Sequence, residues 1–174
     1  MKTVVVYKTK YGSTKTYAEY ISEKLGCDCF EAKKIKADDL VSYDNIIYGG
    51  GLYAEVINGL GLITKNIKKL SDKKIAVFTT AITPLDCRAY YEGEVLEKNF
   101  KDGVPDNIRI FNFMGKMKVD ELSAVHRAAL KTLKKIMLAR KDPTDMEKLL
   151  IELCDADDDF TNLADADALI QYMS

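Results

Sequence analysis

The chain opens on a short apolar block, Val4 to Tyr7, cut off at Lys8 and followed by a turn that contains Gly12. A continuous apolar run of that length, bounded by turn residues, predicts a strand buried on both faces over Val4–Lys8. From Ser13 the period changes. Tyr17, Ala18, Ile21 and Leu25 recur at helical spacing, so a helix is predicted over Ser13–Leu25, closed by Gly26. The same alternation continues. Strands are predicted at Cys27–Ile35, Asn45–Gly49, Ile75–Thr79 and Ile108–Phe113, and a helical stripe runs through Leu60, Ile63, Ile67 and Leu70. Parallel strands need crossover connections, usually helical, and alternation of this kind implies a sheet covered on both faces. The expected fold is α/β, a doubly wound five-stranded parallel sheet.

The last third reads differently. Leu122, Val125, Ala129, Leu133 and Ile136 form a helical stripe that Asp142-Pro143 ends, because proline has no N–H and restricts the residue before it. Met146, Leu149, Leu150 and Leu153 predict a second, short helix, the acidic run Asp155–Asp159 a solvated loop, and Leu163, Leu169, Ile170 and Met173 a final helix on the sheet. Such stripes usually mark core, so packing or a dimer interface is the expected use of the inserted helices, with one wall of a substrate site as the alternative. No repeat or linker divides the chain. Residues 1–174 are expected to form one domain with a helical insertion over about 114–162.

Composition narrows the functional classes. An apolar fraction of 47% supports a real core. Lys plus Arg total 26 against 27 Asp plus Glu, a net charge of -1 that gives no broad electrostatic reason to bind nucleic acid or an anionic membrane. Cys27, Cys29, Cys87 and Cys154 show neither C-x-x-C nor zinc-knuckle spacing, so reduced thiols in a reducing compartment are expected. No apolar run is long enough for a signal segment or a membrane span, and the cytoplasm is the expected location. The single histidine, His126, is expected to have a surface or packing role away from any site, and no metal constellation is visible.

Three loops carry the candidate chemistry. In an open α/β sheet, ligands bind outside the carboxyl ends of the strands. After the first strand comes Thr9-Lys10-Tyr11-Gly12-Ser13-Thr14, where a helix begins. A helix start aims unpaired N–H groups outward, Gly12 permits close approach, and three hydroxyls can donate to phosphate oxygens. The bland reading is helix capping by Ser13 or Thr14. The loop is neither a Walker A nor a dinucleotide fingerprint. After the third strand, Gly50, Gly51, Leu52 and Tyr53 suit a flat ligand, with Tyr53 able to stack on it. After the fourth, Thr80, Ala81, Ile82 and Thr83 could line a ring edge, and Tyr90 or Tyr91 could cover its second face, though packing on the next helix is as common.

Together these loops resemble the flavodoxin family. The family's phosphate loop, [ST]-x-T-G-[NS]-[ST] with a small residue four on, is matched by Thr9 to Thr14 with Ala18 in place, and Tyr11 stands where the middle threonine is usual. Tyr43-Asp44-Asn45-Ile46-Ile47-Tyr48-Gly49 is similar to the family's third strand, and Tyr53 falls where a flavin-flanking aromatic is common. The glycine-rich loop and the long insertion resemble the branch that includes the bacterial quinone-dependent protoporphyrinogen dehydrogenase. The likeness spans about Met1 to Phe113 and the last helix, and implies no porphyrin chemistry. It implies strand order 2-1-3-4-5 and FMN held non-covalently by Thr9 to Thr14, Gly50 to Tyr53 and Thr80 to Thr83. Arg88 would stabilise the reduced flavin. Electrons would pass to a redox partner protein or a small-molecule acceptor. Two alternatives stand beside this: an FMN-dependent oxidoreductase acting on a quinone or other small organic substrate, and a flavin-free binding module on the same fold. A phosphoacceptor receiver domain needs acids where this chain has Thr9 and Gly49.

Overall fold

The computed structural model describes residues 1–155 and 157–174; Ala156 and the side chain of Met146, one position of a predicted stripe, lie outside the described residues. In chain order the strands of the main sheet are β1 (Thr3–Lys8), β2 (Asp28–Glu31), β3 (Asn45–Tyr53), β4 (Val56–Ile57), β5 (Lys74–Ala81) and β6 (Ile108–Met114). Five of them run parallel in the order β2-β1-β3-β5-β6, while β4 folds back antiparallel on the end of β3. This is the doubly wound order expected, 2-1-3-4-5 when the parallel strands alone are counted.

Strand side chains alternate between faces, and here both faces are apolar. Val4, Val6, Ile46, Tyr48 and Val77 meet Leu40, Ile63 and Leu70 on one side. Val5, Ile47, Ala76 and Phe78 meet Tyr17, Ala18 and Ile21 of α1 (Ser13–Leu25) and Leu169 and Met173 of the last helix on the other. The remaining short helices are α2 (Ala37–Leu40), α3 (Gly61–Thr64) and α4 (Leu96–Asn99).

Several elements depart from expectation. The second strand stops at Glu31, and a 3-10 turn over Ala32–Lys34 replaces its predicted second half, where the apolar pattern breaks. The predicted helix through Leu70 is helical only over Gly61–Thr64. Asn66 donates its side-chain amide to the Leu62 carbonyl (2.9 Å) and its own N–H to Ile63 (2.9 Å), so the side chain takes the acceptor a continuing helix would use. Ile63 and Leu70 are buried all the same.

Gly49 ends the predicted strand, and Gly50 and Gly51, expected as a loop, continue it within β3. Their role there is steric. A Cβ on Gly49 would stand 2.1 Å from Phe78 Cζ, and one on Gly50 would stand 2.7 Å from Ile57 Cγ2 and 2.8 Å from the Asn58 carbonyl. Phe78 stacks on Phe113 at 5.1 Å and meets Tyr17 edge-on, so Gly49 opens room for the aromatic centre of one core face. The hairpin to β4 turns on Ala54 (φ 46°) and Glu55 (φ 63°), both left-handed. Asn99 clamps it, accepting from the Ile57 N–H (2.9 Å) and donating to the Glu55 carbonyl (2.6 Å).

The insertion holds β7 (Lys116–Lys118), α5 (Ala124–Leu138), α6 (Asp145–Leu153) and β8 (Asp157–Asp159), before α7 (Asp167–Met173) returns to the sheet. The acidic run is thus not simply a loop. β8 pairs antiparallel with β7, setting Lys116 opposite Asp159 and Lys118 opposite Asp157, cross-strand pairs of opposite charge. The Tyr17 hydroxyl gathers both ends of the insertion, bonded to the Met114 carbonyl (2.8 Å), the Asn162 carbonyl (3.1 Å) and the Asn162 N–H (3.0 Å).

Gly49→Ala should destabilise the protein by at least about 2 kcal/mol in urea denaturation, an overpacking cost. Combining it with Phe78→Leu should cost less than the sum of the two single changes, because the second change vacates the space the first one fills.

Candidate functional site

Strands β1, β3 and β5 deliver their carboxyl ends to one edge of the sheet, and the insertion folds over that edge. Between them lies a cavity of about 540 Å³. Of the residues proposed from sequence, Thr9, Tyr11, Ser13, Thr14, Gly51, Leu52, Tyr53, Thr80, Ala81, Ile82 and Thr83 line it, whereas Lys10, Gly12 and Gly50 do not. Gly50 lies beneath the β4 hairpin, Lys10 faces solvent, and Gly12 shapes the loop from behind.

One end of the cavity could receive an anion. Gly12 precedes α1 with φ 98°, a conformation that side chains rarely adopt, and no side chain caps the helix. The first-turn amides therefore remain outward donors on the positive end of the helix dipole. The alternative reading, capping by Ser13 or Thr14, is not what the structure shows. Thr9 Oγ1 accepts from the Gly12 N–H (2.9 Å), Ser13 Oγ accepts from the Lys116 N–H (3.1 Å), and the Thr14 and Thr80 hydroxyls bond each other (2.8 Å). In accepting, Thr9 and Ser13 each keep a hydrogen to give, and one hydrogen of the Thr14–Thr80 pair stays unused. Lys116 reaches the same place. Its Nζ lies 4.0 Å from where a Cβ on Gly12 would stand, and it pairs with Glu121 at 3.0 Å.

The middle of the cavity is aromatic and slender. Tyr53 folds against Gly51, where an added Cβ would come within 3.1 Å of its ring. Tyr90 also lines the cavity, while Tyr91 is buried beside it and donates its hydroxyl to the Thr83 carbonyl (2.6 Å), a packing role that holds the third loop. Burial pushes the phenols of Tyr53 and Tyr90 up to about 12, so both stay neutral in ordinary buffers. Arg88 is exposed and does not reach the cavity, because the chain turns sharply through Pro84 to Cys87 and directs it to solvent.

The roof comes from the insertion, through Leu122, Ala129, Leu130 and Leu133 on α5 and its approach, and Leu150 and Cys154 on and just after α6. His126, expected far from the site, lines the cavity as well. Its Nδ1 lies 2.6 Å from the Tyr11 hydroxyl and its Nε2 3.1 Å from Lys10 Nζ. An ammonium only donates, so Nε2 accepts and the ring proton sits on Nδ1, which donates to Tyr11. Tyr11, Tyr53 and His126 thereby form one aromatic cluster, with centroids 5.7 to 6.4 Å apart. The spacing of α5 residues marked a helix but gave no sign of where it would land. The lysines of β7 facing the acidic run were the available signal for the fold-back. Among the described residues, no three His, Cys, Asp or Glu side chains gather as a metal site.

A family model described as a flavodoxin domain matches residues 4–147. Among solved structures, the chain is similar to the Trp repressor binding protein of Bacillus subtilis, with 14% identity and a TM-score of 0.49 over 81% of this chain and 99% of that one. It is similar to the WrbA-like flavodoxin of Agrobacterium tumefaciens, with 16% identity and a TM-score of 0.46 over 99% of each chain. It is also similar to oxidised flavodoxin 1 of Bacillus cereus, with 17% identity and a TM-score of 0.45 over 66% of this chain and 84% of that one. No curated protein sequence matches it.

Tyr17, Tyr53 and Tyr90 are each raised to about 12 from 10.0, chiefly by burial. The folded chain therefore keeps phenolic protons that the unfolded chain gives up. Their contribution to stability is full below about pH 10 and is lost as pH rises through about 12. Urea midpoints should fall between about pH 8 and about pH 11, and Tyr53→Phe should reduce that fall.

Proposed function

The chain belongs to the flavodoxin family, and on that premise we propose that its cavity holds FMN non-covalently and that the protein passes electrons through it. The observation that carries this reading is the uncapped first turn of α1, with its free hydroxyl hydrogens, at one end of a tyrosine-lined cavity. Thr9, Ser13 and Thr14, with the first-turn amides, would hold the phosphate. Gly51 to Tyr53 would meet one side of the ring system, and Thr80 to Thr83 the other. FMN supplies the redox chemistry when bound; the protein positions it and excludes water. The neutral phenols of Tyr53 and Tyr90 offer ring faces without adding charge beside a group that becomes electron-rich on reduction. With its four unpaired thiols, the chain suits a reducing compartment, and we place it in the cytoplasm.

A second reading is favoured by the roof. The apolar side chains that α5 and α6 turn into the cavity give a small organic acceptor somewhere to lie, which a carrier that only meets other proteins does not need. On this reading the chain is an FMN-dependent oxidoreductase, with a quinone as one candidate substrate.

Purified protein should carry flavin absorbance or take up added FMN in a fluorescence titration, with riboflavin bound more weakly because it lacks the phosphate. Ser13→Ala combined with Thr14→Val should weaken FMN by roughly tenfold or more, one to two hydrogen bonds to a charged group. A colourless protein indifferent to FMN would leave a flavin-free binding module. With FMN bound, turnover of simple quinones against reduction of a one-electron protein acceptor separates enzyme from carrier.

A further inference from the structure

The strongest helical stripe of the insertion does not face inward throughout. On α5, His126, Leu130 and Met137 turn toward the protein, and Met137 is buried. At 100° per residue the opposite face carries Val125, Ala128, Thr132, Ile136 and Ala139. All five are exposed, with Val125 at 75% and Ile136 at 53%. A surface helix ordinarily turns polar residues outward. This one turns branched aliphatics outward.

Charge on the same segment is equally one-sided. Between Leu122 and Lys141 the chain carries six lysines and arginines and no aspartate or glutamate. Lys134 is paired with Asp155, Arg140 with Glu147, and Arg127 donates to the carbonyls of Asp120 and Leu122 (3.1 Å each). Among the described residues no ion pair engages Lys131, Lys135 or Lys141, and all three are exposed. Lys131 and Lys135 line one side of the outward apolar face. The near-zero charge of the whole chain therefore includes one locally basic helix, set beside the acidic residues on and just after α6.

We infer that the outer face of α5 is an interaction surface for an anionic lipid bilayer. The aliphatic side chains would enter the headgroup boundary while the neighbouring lysines, on flexible stems, reach the lipid phosphates. A second copy of this chain fits less well, because a two-fold contact would bring the lysines of both copies into one interface with no acidic residue of that face to meet them. A protein groove would have to supply matched pockets for an almost featureless aliphatic face, whereas a bilayer needs none. No helix among the described residues is long and apolar enough to cross a membrane, so the contact is peripheral. The inference does not depend on flavin.

Vesicle flotation of the full chain tests it. Partition onto phosphatidylcholine vesicles containing phosphatidylglycerol should exceed that onto phosphatidylcholine alone by about 100-fold at low salt, roughly fivefold for each of three lysines. The preference should shrink in high salt. Lys131→Gln, Lys135→Gln and Lys141→Gln together should abolish the preference for the anionic lipid. Val125→Ser with Ile136→Ser should lower partition onto both vesicle types. All five positions are exposed, and an unchanged thermal transition would confirm that both variants fold. Equal partition onto the two vesicle types, or none, would overturn the inference and leave the face to a protein partner. So would a dimer in sedimentation velocity that Val125→Ser with Ile136→Ser disperses.

Discussion

A parallel sheet imposes a direction on everything attached to it. Each crossover returns the chain to the same starting edge, so the strands all finish at the opposite one, and the loops that leave them gather there whether or not they share any sequence. The uncapped start of α1, the tyrosine that ends β3 and the threonines at and just past the end of β5 are neighbours for this reason alone. Thr14 and Thr80, 66 residues apart, bond each other because β1 and β5 flank β3 and end at one level.

What the insertion adds is a cover, and its hold on the body is narrow. Tyr17 bonds the backbone at both ends of the segment, Gly115 donates to the Ala81 carbonyl (2.7 Å), and Ser13 receives the Lys116 N–H. Beyond that stem, the approach of α5 to the rim rests on His126 meeting Tyr11 and Lys10. Several residues that grip the cover, Lys10, Tyr11 and Ser13, also shape the turn before α1.

The sheet was legible from sequence because its signal is local: unbroken apolar runs such as Val4–Val6 and Ile46–Tyr48 have few alternatives, and the parity of each run is answered by a helix on each side. Most of the rim was legible for the same reason. What escaped depended on contacts across long stretches of chain. Gly50 and Gly51 looked like a loop because glycine marks turns far more often than it makes way for a neighbour, as Gly50 does for Ile57 and the Asn58 backbone. His126 looked remote because helical spacing says which residues share a face and nothing about where that face is placed. The stripe through Val125, Ala129 and Ile136 was readable as amphipathic, yet periodicity is blind to the medium it addresses, and the structure leaves Val125 and Ile136 in water.

The three backbone atoms bonded to the Tyr17 hydroxyl belong to Met114 and Asn162, so the points where the chain leaves and re-enters the sheet layer stand no farther apart than two hydrogen-bond lengths. One or two residues would close that gap. The segment between is thus an appendix on a closed scaffold, free to be lengthened, recast or lost in descent without disturbing the order of a single strand, and the chemistry at the rim can drift with it while the sheet stays as it is.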